Sequence, residues 1–129
     1  MISMFKIKDV TKIITGEKGE AIAETYLKKN GYRILESNFR CPLGEIDIVA
    51  HDKDELVFVE VKTRRSEKLG YPEQAVGIKK QKKISQLASF YLQKKNLTDA
   101  KARFDVVAVI MSETTPEIKL IKNAFDFIS

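Results

Sequence analysis

The stretch Gly44–Lys62, GEIDIVAHDKDELVFVEVK, constrains the chain most: two apolar runs flank a short charged turn and carry ionisable residues inside them. Side chains in Gly44–His51 and Glu55–Lys62 alternate with the period of an extended strand, and Asp52-Lys53-Asp54-Glu55 suits a short hairpin connection. Parity places Glu45, Asp47 and Val49 on one face of the first strand, and Leu56, Phe58, Glu60 and Lys62 on one face of the second. Pairing His51 with Leu56 sets Asp47 opposite Glu60 and Glu45 opposite Lys62; other registers are open.

Two carboxylates facing each other across a hairpin repel, and burying them unpaired is costly, so a fold needing only a sheet would avoid them. A cation between them removes the objection. Oxygen ligands without nearby His or Cys suit a hard ion, Mg²⁺ or Mn²⁺, and Lys62 lies one side chain further along the same face. The competing reading is an internal Asp/Glu/Lys ion-pair network on a half-exposed sheet, and spacing alone weighs the two equally.

At 129 residues and 43% hydrophobic content, the chain suits one domain with a real core. Lys+Arg exceed Asp+Glu by 23 to 18, a net charge of +5 whose sign favours nucleic acid without deciding for it. One cysteine, Cys41, and one histidine exclude an intramolecular disulfide framework and a Cys/His zinc cluster. No stretch is long enough to span a membrane and the N-terminus lacks a continuous apolar core, so the expected location is cytoplasmic.

Residues Met1 to about Ile14 show no clear period and are read as a leader or accessory segment before a single domain at 15–129. From Thr15, a plausible N-cap, Gly19, Ile22, Ala23, Tyr26 and Leu27 form a helical stripe that Asn30-Gly31 ends. Glu17, Glu20 and Glu24 then fall near the first turns, where carboxylates favour the positive end of the helix dipole. Glu20 also sits at the stripe edge, from which it could look toward the sheet. Tyr32–Arg40 is a predicted strand, and Gly70, Pro72 and Gly77 argue for a loop after Arg65.

Lys79–Asn96 is a second helix, with Ile84, Leu87, Ala88 and Tyr91 on one face. Its first turns hold Lys79, Lys80, Lys82 and Lys83, which oppose the macrodipole unless an anion lies nearby. A phosphate backbone fits that demand; a solvated lysine face is the alternative. Arg103–Met111 returns as a strand buried on both faces, and Glu117–Lys122 reads as an edge strand. The order α-β-β-β-α-β-β predicts an α/β fold, a mixed sheet with a helix on each side.

Asp47 followed by Glu60-Val61-Lys62, after a helix carrying Glu20, resembles the PD-(D/E)XK nuclease superfamily, which includes the archaeal Holliday-junction resolvases. The closer similarity is to the YraN family of small bacterial proteins. It is carried from about Gly16 to Val109 by GEKGEAIAETYLKKNGYRIL, NFRCPLGEIDIVA, LVFVEVKTRR, the PEQAV loop with KKQKKI, and RFDVVAV. Ile46 precedes Asp47 where the superfamily name has Pro, at a position that is loose in that group.

The resemblance implies a restriction-endonuclease-like core and Mg²⁺- or Mn²⁺-dependent hydrolysis of phosphodiester bonds, with branched or structured DNA among the substrates. It also implies that Asp47, Glu60, the Val61 carbonyl and Glu20 hold the metal, and that Lys62 faces the attacking water. Thr63, Arg64 and Arg65, with Lys79, Lys80, Lys82 and Lys83, would contact phosphates without reading sequence. The expected partner is nucleic acid, DNA ahead of RNA, with no membrane and a homodimer left open. A nucleic-acid-binding module without turnover and a protein–protein adaptor are the competing classes.

Overall fold

The computed structural model describes the backbone of residues 4–15 and all of residues 16–65, 76–112 and 114–129. In chain order the elements are α1 (Met4–Lys29), β1 (Tyr32–Cys41), β2 (Gly44–Asp52), β3 (Glu55–Arg64), α2 (Ile78–Lys94), β4 (Ala102–Ile110) and β5 (Glu117–Phe125). They give the expected α-β-β-β-α-β-β order, consistent with a restriction-endonuclease-like fold. The loop expected around Gly70 and Pro72 lies outside the described residues.

The strands form one five-stranded sheet in sequential order. β1, β2 and β3 are antiparallel neighbours, whereas β3 and β4, separated in the chain by α2, run parallel, and β5 returns antiparallel at the edge. Alternation along β3 divides the core. Leu56 and Phe58 join Phe104, Val106 and the α2 residues Ile84, Leu87, Ala88 and Tyr91. Val57 and Val59 join Val107, Val109 and the α1 residues Ala23 and Leu27. The helices therefore cover opposite faces, and β4, buried from Phe104 through Ile110, has no solvent side. The lone Cys41 is half-buried against the α2-side core.

β5 runs three residues past the expected Lys122, to Phe125, but the start of the first helix differs most from the sequence expectation. α1 begins at Met4, so Thr15 lies within the helix instead of capping it. No Pro or Gly precedes Gly16, and nothing in that stretch breaks a helix once the amphipathic part from Gly16 has nucleated it. The consequence reaches function. Glu17, Glu20 and Glu24 are not in the first turn, which holds no acidic residue, so the dipole explanation for them fails. At the other end, Gly31 adopts φ 89° and its N–H donates to the Lys28 carbonyl at 3.2 Å, which closes the helix where Asn30-Gly31 predicts a stop.

Gly19 fixes how closely α1 approaches the sheet. A Cβ built there would land on the Thr63 hydroxyl and lie 3.1 Å from Thr63 Cβ. Only glycine allows this approach, and the next residue along the helix is Glu20.

Candidate metal centre

The hairpin register is the one expected, with His51 opposite Leu56, but the β2–β3 ladder stops at Ile48↔Val59. Asp47 and Glu60, and Glu45 and Lys62, are therefore not ladder partners. Beyond that pair β2 stays with β1, through Phe39↔Ile46 and Arg40↔Glu45, while β3 stays with β4 as far as Arg64↔Ile110. The two strands part where their carboxylates would otherwise oppose each other. The Val61 N–H, left without a β2 carbonyl, donates instead to Asp47 Oδ2 at 2.8 Å.

Strict alternation also fails at the start of β2. Ile46 and Val49, three residues apart, both pack in the α2-side core. Across from Asp47, Asn38 of β1 takes φ 54°, a left-handed conformation that asparagine tolerates better than most residues. Its amide, turned so that the nitrogen faces the carboxylates, reaches Glu20 Oε2 at 3.0 Å and Glu45 Oε1 at 2.6 Å.

Glu20 from α1 and Glu45 and Asp47 from β2 each bring one carboxylate oxygen within 4.8 Å of the other two. Neutralising groups are scarce among the described residues: Glu45 pairs with the largely exposed Arg40 at 3.2 Å, and no cation pairs with Asp47 or Glu20. Burial, then the Glu60 charge, push the Asp47 carboxyl up to about 7; the Val61 N–H opposes this, and Glu20 and Glu45 add to it. Glu20 is raised as well, by burial first and by Glu45 next, with the Asn38 amide acting against the rise. An all-oxygen donor set with excess negative charge fits a hard divalent cation.

Glu60 is placed differently. Its Oε1 lies 3.5 Å from Lys62 Nζ and 3.5 Å from Lys80 Nζ, the latter arriving from the first turn of α2. An ion-pair network thus accounts for Glu60, but it leaves the Asp47, Glu20 and Glu45 group unbalanced. The centre draws on both helices and on the gap between two strands.

A model of the family described as "Uncharacterised protein family UPF0102" matches residues 19–109. UPF0102 proteins of Syntrophus aciditrophicus and Geotalea uraniireducens are 56% and 54% identical to the chain, covering 87% and 86% of it and 88% of each relative. One from Acetivibrio thermocellus is 52% identical over 88% of the chain and 92% of the relative. The chain belongs to the UPF0102 family.

This is the YraN family of the sequence resemblance, and the UPF0102 match opens on Gly19 and contains every candidate site residue. Of these, Glu20 and Asp47 come together, and Glu60 is near enough for its charge to act on Asp47. Lys62 stands beside Glu60. The Val61 group in contact with Asp47 is its amide. Thr63 is committed to the Gly19 contact, Arg64 is half-buried at the end of β3, and Arg65 is exposed. Lys79, Lys80, Lys82 and Lys83 are exposed and, with Gly77 and Gln86, line a cavity of about 600 Å³.

Two participants escaped sequence reasoning. Glu45 shares parity with Asp47, which was a usable signal; Asn38 gave none, because its role depends on an unusual backbone angle. A second charged cluster was also missed. Arg103 reaches Asp52 at 2.7 Å, Glu55 at 3.2 Å and the fully buried Asp105 at 2.9 Å, and Tyr32 Oη donates to Asp105 at 2.7 Å. Here every carboxylate has a partner, and the Arg103 guanidinium holds Asp52 below the usual carboxylate range. Among the described residues no helix is long and apolar enough to cross a membrane.

Proposed function

We propose that the chain is a metal-dependent nuclease of the PD-(D/E)XK type that hydrolyses phosphodiester bonds, with branched or structured DNA as its leading substrate class. The observation that carries this is the convergence of Glu20, Glu45 and Asp47, with only the exposed Arg40 paired to Glu45 and no cation on Glu20 or Asp47 among the described residues, where β2 and β3 part beside Glu60 and Lys62. Asp47 and Glu20, with Glu45 beside them, would hold Mg²⁺ or Mn²⁺, and Glu60, whose charge already reaches Asp47, would join them on release from its lysines. When bound, the ion supplies Lewis-acid polarisation of the phosphate and acidification of water.

The chain's own groups do the rest. The Val61 N–H holds the Asp47 carboxylate in place, and the Asn38 amide holds Glu20 against Glu45. Lys62, on the same strand as Glu60, carries the positive charge that steadies a developing phosphorane or orients the attacking water. The exposed lysines of α2 bind phosphates irrespective of sequence.

The test is a panel of single-stranded, duplex, flapped and four-way DNA, and a matching RNA, incubated with purified protein and Mg²⁺ or Mn²⁺. Cleavage by wild type and its loss in Asp47→Asn supports the proposal. The exposed lysine row favours a second reading, a nucleic-acid-binding module without turnover. Binding without cleavage of any substrate selects it.

A further inference from the structure

Lys80 stands apart from its neighbours on α2. The helix has no acidic residue in its first turn, and Gly77 at the N-cap offers no side-chain bond, so cations there face the positive end of the dipole uncompensated. Among the described residues Lys79, Lys82 and Lys83 have no carboxylate partner, whereas Lys80 meets Glu60 Oε1 at 3.5 Å. Lys62 meets the same oxygen at the same distance, and both separations exceed those of tight charge-assisted bonds. The Lys80–Glu60 pair is thus loose and half-exposed on the lysine side.

Building on the metal-dependent reading above, we propose that Lys80 is an internal counter-ion that holds Glu60 until a divalent cation takes over that carboxylate, and that its released ammonium then turns to a substrate phosphate. The reasoning is electrostatic. A divalent cation held by the Glu60 carboxylate would neutralise the charge that keeps Lys80 in place. Lys80 is then left among like charges at a positive helix end, where the remaining favourable partner is an anion. Metal binding thereby converts a self-paired basic face into a phosphate-seeking one. By linkage, phosphate binding at that face must strengthen metal binding to the same degree. Lys80 is in this scheme a counter-ion to Glu60 without metal and a phosphate-binding residue with it.

The experiment measures Mn²⁺ binding by calorimetry to wild type, Lys80→Gln, Lys79→Gln and an Asp47→Asn, Glu60→Gln double variant, without nucleic acid. Lys80→Gln should bind Mn²⁺ about three- to fivefold tighter, as expected for removing a competing half-exposed ion pair, and Lys79→Gln should change by less than about twofold. A role confined to docking α2 would make Lys80→Gln bind no tighter. In a second arm, a phosphorothioate DNA duplex should tighten Mn²⁺ binding to wild type more than to Lys80→Gln. If, without DNA, Lys80→Gln binds Mn²⁺ no tighter than wild type or no tighter than Lys79→Gln does, or if DNA tightens Mn²⁺ binding to Lys80→Gln as much as to wild type, the proposal is overturned while the metal site stands, provided the double variant loses Mn²⁺. If the double variant binds Mn²⁺ as wild type does, the metal reading fails and this one with it.

Discussion

Glu20 on α1 and Asp47 on β2 bring carboxylate oxygens within 4.8 Å of each other, and neither has a cationic partner among the described residues. The fold maintains this repulsion by holding α1 close through Gly19 and by parting β2 from β3 at Asp47. A bound divalent cation would relieve it.

Mg²⁺ or Mn²⁺ should therefore raise the melting temperature, because the ion binds the native carboxylates preferentially. At a hundredfold excess over Kd the gain is about 2.7 kcal/mol, or several degrees for a chain of this size. The Asp47→Asn, Glu60→Gln double variant should lose the shift. An equal shift in both proteins would place the binding elsewhere.

The pH dependence of the metal-free protein should carry the Asp47 signature. Its folded carboxyl is raised to about 7, above an ordinary unfolded value near 3.8, so the native state binds the extra proton between those values. Stability should accordingly fall as pH rises across that window, and Asp47→Asn should flatten the slope. Asp52 acts in the opposite sense and elsewhere. Its folded value is lowered, by the Arg103 hydrogen bond first, so the stability it adds is lost only as pH falls below the usual Asp range. Urea midpoints from pH 4 to 8, with and without Mg²⁺, check the sign; a midpoint that rises from pH 5 to 7 and is unaffected by Asp47→Asn would contradict it.

Gly19→Ala should destabilise the protein by about 1–3 kcal/mol, since the new Cβ overlaps Thr63. Thr63→Gly should recover part of that loss in the double variant, a positive coupling measurable by a denaturation cycle. Additive losses would mean that the helix does not depend on this contact for its approach.

Arg103→Met should cost about 3–5 kcal/mol, because it leaves the buried Asp105 without its guanidinium, together with Asp52 and Glu55. The contrast with Asp47→Asn, which removes a repelled charge and should stabilise the metal-free protein, separates a structural ion cluster from a functional one by the sign of the change.

Local pattern carried the elements and the hairpin register, because alternation from Ile48 to Val59 and the stripe Ile84, Leu87, Ala88 and Tyr91 report directly which faces are buried, whereas the common face expected for Glu45, Asp47 and Val49 is lost at the start of β2. It also brought out Asp47, Glu60 and Lys62 as charges inside strands. What it missed depends on distant parts of the chain. The reach of α1 back to Met4 removed the dipole explanation for Glu20. The parting of β2 and β3 follows from each strand keeping its outer neighbour, and the Lys80–Glu60 pair needs α2 folded against the sheet. Arg103 collects partners from the start of β1, the end of β2 and the start of β3, which no window of sequence contains.

Cleavage of the nucleic-acid panel by wild type, Asp47→Asn and Lys62→Ala, with binding measured in parallel, tests the central claim most directly. Wild type should cut at least one substrate only when Mg²⁺ or Mn²⁺ is present. Lys62→Ala should lose most cleavage while its affinity stays within about a few-fold, and Asp47→Asn should bind at least as tightly as wild type without cutting. Tight binding by wild type with no metal-dependent cleavage of any substrate, or cleavage that survives Asp47→Asn, would contradict the account.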